Sequence, residues 1–145
     1  MNRTVTIAGH GGKIVIEVFG YELPEGSDYD DANWLTAKLS VEIGAFAGSF
    51  RVGLRTPELE ALYREMDAAV SSLSGEFSFE SMEGDLKLDG RFSRGGSVKL
   101  TGVVRPAFEL GAALHYCFDS DQSYLSRSVE DLKLLIREFP VKKAG

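Results

Sequence analysis

One cysteine, two histidines, one tryptophan and four prolines are all that this 145-residue chain holds of those types. Each scarcity removes a class of protein. Cys117 alone cannot close an internal bridge, which sets aside disulfide-stapled scaffolds and fits a reducing compartment. With His10 and His115 as the only histidines, a four-ligand zinc site would have to borrow carboxylates. No segment approaches the ~18 apolar residues of a membrane span, and residues 1–10 lack the apolar run of a signal peptide. The expectation is a cytoplasmic protein that does not enter a membrane. Basic residues are also outnumbered, 16 against 22 acids, for a net charge of −6. The imbalance is local: Glu17, Glu22, Glu25, Asp28, Asp30, Asp31 and Glu42 stand with a single base, Lys38, between positions 17 and 42. Such a patch repels phosphate, so nucleic acid is not an expected partner, and it attracts basic proteins. The same acids would also serve as a merely solvated, solubilising loop.

What the chain does have is the composition of an ordinary globular protein, 43% hydrophobic and 26% charged. Its length suits one domain over residues 1–145, able to bury roughly two-thirds of its unfolded surface. Two β-branched runs, 4–8 and 13–18, flank Gly9-His10-Gly11-Gly12 and predict a hairpin. The glycines before Lys13 fall short of phosphate-loop spacing, and Ile14 stands where Ser or Thr is needed. After a loop, Leu35, Ala37, Leu39, Val41 and Ile43 alternate with polar residues, as do Phe46, Gly48, Phe50, Val52 and Leu54 beyond Gly44. Two antiparallel, half-buried strands follow. Thr56-Pro57-Glu58 predicts a helix start with Thr56 as cap, and Leu59, Leu62, Met66, Ala69, Val70 and Leu73 carry the helical period to a stop at Gly75. Strands return around Phe77 and Phe79, Leu86 and Leu88, Val98 to Val104, and Leu110 to Phe118. A second amphipathic helix then runs from a cap at Asp121, Ser120 or a later serine to Pro140, with a frayed basic tail after it. The order strands, helix, strands, helix, with short connections, predicts an α+β fold, antiparallel and β-rich: about eight strands, in a sheet or sandwich, with two helices.

Chemistry is harder to find. Asp28, Asp30, Asp31 and Asn33 resemble hard-oxygen ligands, but Ala32 and Asn33 break the calcium-loop template; Asp119, Asp121, Ser123 and Glu130 fit better except for Tyr124 where glycine is required. These acids read more simply as caps and turn formers. His115 and Cys117 share one strand face, unlike a nucleophile and base converging from separate elements. The esterase, zinc-protease and dinucleotide motifs are all missing. We expect no catalytic residue, no metal site and no cofactor. That leaves 28–35, Asp-Tyr-Asp-Asp-Ala-Asn-Trp-Leu, where carboxylates surround Tyr29 and the lone tryptophan. Trp34 could plug the core or face a partner; Tyr29, within the acidic loop, suits exposure. Asp28, Tyr29, Asp30, Asp31 and Trp34 are therefore the candidate contact residues for a basic partner, with charge steering approach and the ring supplying burial.

Asn33-Trp34-Leu35, the following strand, Thr56-Pro57-Glu58-Leu59, and Asp121-Gln122-Ser123-Tyr124-Leu125 through Phe139-Pro140 together resemble the WapI-family immunity proteins of bacteria. The resemblance spans roughly residues 21–140. It implies a small non-enzymatic protein that binds and neutralises a cognate toxin, in the named case the RNase tail of a cell-wall-associated contact toxin. Two other readings stay open: a structural or self-associating domain without a toxin, in which a homo-oligomer has a place, and an unrecognised hydrolase.

Overall fold

The computed structural model describes residues 3–23, 32–106 and 111–143. Its eight strands form two separate antiparallel sheets, each a four-stranded meander followed by a 17-residue helix. The first sheet holds β1 (Thr4–Gly9), β2 (Gly12–Tyr21), β3 (Trp34–Ile43) and β4 (Phe46–Arg55), and α1 (Thr56–Ser72) follows it. The second holds β5 (Glu76–Glu80), β6 (Leu86–Phe92), β7 (Ser97–Val104) and β8 (Leu114–Asp121), then α2 (Gln122–Glu138). The α+β class, the strand count and the order of elements agree with the sequence. The choice between one sheet and two is settled as two.

Each strand buries one face, as alternation requires: Ile14, Ile16 and Val18 on β2, Leu35, Ala37 and Leu39 on β3, Leu86 and Leu88 on β6, Tyr116 and Phe118 on β8. These side chains and the apolar stripes of both helices form one continuous core. The helices pack against each other, α1 also against β5 and α2 against β1, so each braces the opening strand of a sheet. β8 extends two residues past the expected stop at Asp119. Leu110, expected to begin it, lies outside the described residues.

Helix ends depart from the local rules in two places. Asp121 does cap α2, accepting from the Tyr124 main-chain N–H at 3.2 Å. Thr56 does not cap α1; it is the first helical residue, and its hydroxyl turns away to donate to Asn33 Oδ1. At the other end α1 stops at Ser72 rather than Gly75, with Leu73 in the left-handed region at φ 53°. A leucine there carries the crowding of Cβ against the backbone that glycine or asparagine tolerates. Because Leu73 is 43% exposed, little packing opposes its replacement. Leu73→Asn is expected to raise stability by about 0.5–1 kcal/mol, read as a higher urea midpoint.

Sheet edges need cover, since unpaired main-chain groups template aggregation. On β1 the Thr6 N–H donates to Asp131 of α2, its carbonyl accepts from Ser128, and the Ala8 carbonyl accepts from Ser120. On β5 the Ser78 N–H donates to Glu65 of α1. On β8 the Asp119 carbonyl accepts from the His10 N–H at 2.7 Å.

Candidate partner-binding surface

Asp28, Tyr29, Asp30 and Asp31 lie outside the described residues. Trp34 does not, and its position follows from strand parity. Leu35, Ala37, Leu39 and Val41 fill the core, so Trp34 shares the opposite, wet face of β3 with Thr36 and Lys38. It is half-buried there rather than a core plug. Gly53 makes this seat: a Cβ at that position would stand 3.2 Å from the indole ring. The Arg55 guanidinium, across the β3–β4 ladder from Trp34, lies 6.0 Å from the ring centroid, at the outer limit of a cation–π contact.

Three chain turns converge on this corner. The end of β2 arrives with Glu22, whose N–H donates to the Trp34 carbonyl at 2.9 Å. The β4–α1 junction brings Arg55 and Glu58, and the β5–β6 turn brings Met82 and Glu83. The Glu83 carboxylate reaches within 3.5 Å of where a Gly53 Cβ would lie. Its pKa is raised, first by partial burial and then by the Asp85 and Glu22 carboxylates, showing negative charge concentrated here. Glu58 is raised by burial too, against the lowering influence of the Arg55 charge and of main-chain hydrogen bonds from Arg55 and Met82. Leu23 (48% exposed) and Met82 (60% exposed) add apolar surface beside these acids. Leu23 and Ala32, the described residues on either side of positions 24–31, adjoin this corner through Glu22 and Asn33. Glu58, Met82 and Glu83 were not candidates from the sequence: a turn from the second sheet gives no linear sign that it will sit beside Trp34.

The other residues singled out for chemistry serve different ends. Asn33, which resembled a hard-oxygen ligand, is fully buried, and Asp121 caps α2. His115 and Cys117 lie on the exposed face of β8. His10 is solvent-facing, with Nε2 3.8 Å from Asp121 and its ring edge-on to Tyr124. Among the described residues no three His, Cys, Asp or Glu side chains gather as a metal would need. None of the described helices is long and apolar enough to cross a membrane.

A family model, described as the immunity protein WapI-like family, matches residues 5–140. The chain belongs to that family. No curated protein matches it. Immunity proteins as a class neutralise toxins and are generally not enzymes, which is the functional statement that membership carries.

The structure shows what the WapI-like motif residues do in the fold. Asn33 joins three segments: its Oδ1 accepts from the Thr56 hydroxyl at 2.6 Å and the Lys142 N–H at 2.7 Å, and its Nδ2 donates to the Lys142 carbonyl at 2.9 Å. Tyr21 donates to the Pro140 carbonyl, meets the Phe139 ring edge-on and receives Lys142 Nζ over its face at 3.8 Å. Of the tail expected to fray after Pro140, the described residues end at 143, and Lys142 among them is held by Asn33 and Tyr21. Leu35 and Leu125 fill the core. Of Asn33-Trp34-Leu35, Trp34 alone is left facing outward.

Proposed function

We propose that this WapI-like protein binds and neutralises a cognate toxin domain through the corner built around Trp34, with Asp28, Tyr29, Asp30 and Asp31 as contacts. Membership of the immunity family over residues 5–140 is the observation that carries the reading. A half-buried tryptophan on a glycine seat, with Glu83 beside that seat and Glu22, Glu58 and the exposed Leu23 and Met82 on the turns that meet there, supports this surface. Aromatic anchors with an apolar surround supply burial, and concentrated carboxylates steer a basic partner. A nuclease toxin fits because a nucleic-acid-binding surface is basic. The protein acts by occupying that surface, without chemistry of its own and in the cytoplasm, where an incoming nuclease does its damage.

Co-expression with any toxin-like reading frame encoded beside its gene tests the reading: rescue of growth is expected, and continued killing despite soluble protein would refute it. The surface has a separate test. Replacing Asp28, Asp30 and Asp31 together with asparagine should slow association by about 10- to 100-fold at low salt and flatten its salt dependence. Unchanged association kinetics by surface plasmon resonance would remove the acidic stretch from the mechanism while leaving neutralisation intact.

A further inference from the structure

The edge of β4 is treated unlike those of β1, β5 and β8. From Phe46 to Arg51 no side chain or main-chain group among the described residues bonds its outer side, and no proline, lysine or bulge interrupts it. Phe46 is 66% exposed, although it lies in register on the apolar face with Phe50, Val52 and Leu54. Below it opens an apolar cleft of about 420 Å³, walled by Phe46 and Phe50 on one side and Val104, Pro106 and Leu114 on the other. A bare, apolar edge without a bulge is a template for another strand.

The ladder states which groups are offered. β3 and β4 join through a two-residue turn, Gly44-Ala45, closed by the Ile43–Phe46 pair, and the register continues without a bulge. In such a hairpin the closing residues bond each other and alternate pairs thereafter do the same. Gly48 and Phe50 thus spend their main-chain groups on β3, while Ala47, Ser49 and Arg51 point theirs outward.

The strand is also self-complementary. Phe46-Ala47-Gly48-Ser49-Phe50 reads nearly alike in both directions about Gly48. We propose that β4 is a homodimerisation edge, with two copies pairing antiparallel about a two-fold axis at Gly48. Ala47 of each copy then exchanges both hydrogen bonds with Ser49 of the other, matching the outward-pointing groups. Phe46 of each copy lies across from Phe50 of the other, on the face over the cleft, and aromatic cross-strand pairs are favourable. Gly48 has open space where a Cβ would be, leaving room for the rings to lean across it. Charge agrees as well: on the wet face Arg51 and Lys38 mark one end and Glu42 the other. The two-fold brings the basic end of each copy alongside the half of the other that carries Glu42, and holds the two Arg51 residues apart. The first sheets of both copies would become one continuous sheet. An interface of one strand pair and four aromatic rings is smaller than the roughly 1,200–2,000 Å² of stable complexes, so the dimer is weak and concentration-dependent.

Sedimentation velocity from about 1 to 200 μM should show monomer giving way to dimer, as a Kd in the micromolar range requires. Ser49→Pro removes an outward N–H without touching the β3 ladder, and Phe46→Lys removes one aromatic pair. Each should weaken the dimer at least about tenfold, with circular dichroism and melting temperature close to those of the parent. Leu134→Lys, on an exposed position of α2, should leave it unchanged. In a Cys117→Ser background, Gly48→Cys should oxidise to a covalent dimer, because the residues on the axis are a closely spaced pair. Monomer at every concentration would overturn self-pairing. A dimer that ignores Ser49→Pro and Phe46→Lys and does not cross-link through position 48 would overturn the surface.

Discussion

Gly102→Ala is expected to cost about 3–4 kcal/mol, a large part of the 5–15 kcal/mol that holds a domain of this size together. Gly102 sits on β7 inside the second sheet, with Leu88 opposite on β6 and Tyr116 opposite on β8. Tyr116 crosses over it to donate its hydroxyl to the Lys87 carbonyl at 2.8 Å. A Cβ on Gly102 would run into that same carbonyl, and would stand 2.5 Å from the Tyr116 hydroxyl. Neither obstacle is the free end of a flexible chain: one is the backbone of a paired strand, the other a ring held in the core. The sheet must spread or the tyrosine must leave. Departure breaks a hydrogen bond in a site so enclosed that burial, with some help from Asp89, pushes the phenol well above its usual range. Urea denaturation measures the loss. Gly48→Ala, where a Cβ meets nothing, is the control and should stay within about 0.5 kcal/mol. Tyr116→Phe in the Gly102→Ala background should not restore stability, because the Lys87 carbonyl remains in the way. A loss below about 1 kcal/mol would mean that β6 and β7 can part at this point without consequence.

Gly102 illustrates what could and could not be read from the linear chain. The alternations at 35–43 and 46–54 became β3 and β4 because strand periodicity follows directly from one buried face. The helical periods from Leu59 to Leu73 and from Leu125 to Phe139 became helices for the same reason, each ending one residue before its last apolar position. Parity also contained the answer for Trp34: once Leu35 and Ala37 are assigned to the core, Trp34 must face outward, so its orientation was readable although its neighbours were not. Parity misled at Phe46, which is in phase with the core but stands where the strand outruns it. Contacts that close over long stretches of chain left no local trace. Thr56 looked like a cap because hydroxyls commonly serve their own helix; its bond goes instead to Asn33, 23 residues away. Glu83 reaches the Trp34 corner from the second sheet, a relation that only the packing of the two halves creates. Within the candidate surface, then, the aromatic anchor was visible in the sequence, while the acids gathered around it from other turns were not.

Asn33→Ala carries the other large expectation, a loss of about 3–5 kcal/mol together with release of the C-terminal segment. The asparagine is fully buried, and its side chain completes three hydrogen bonds between chain segments remote in sequence. Alanine would keep the main-chain bond in which the Asn33 carbonyl accepts from the Thr56 N–H at 3.0 Å, but it would take these three away. The cost exceeds the net worth of three ordinary bonds, because the Thr56 hydroxyl and the Lys142 main chain would lose partners in a place that water reaches poorly. Asn33→Asp should be at least as damaging at neutral pH despite its nearly identical shape: a carboxylate oxygen would replace the donor facing the Lys142 carbonyl, and a charge would be buried. That pair of outcomes separates lost hydrogen bonding from lost volume. Tyr21→Phe, which removes only the bond to the Pro140 carbonyl, should cost about 1 kcal/mol. Hydrogen exchange gives a second readout, since the Lys142 amide should lose protection in Asn33→Ala before the strands do. If Asn33→Ala instead unfolded at the parent midpoint with Lys142 still protected, the clasp would be dispensable for folding, and the Asn33-Trp34-Leu35 motif would need a reason on the partner side. With the loss as expected, Asn33 and Leu35 belong to the architecture, which makes the outward-facing Trp34 the residue of that motif on which a measurement of the proposed binding should be concentrated.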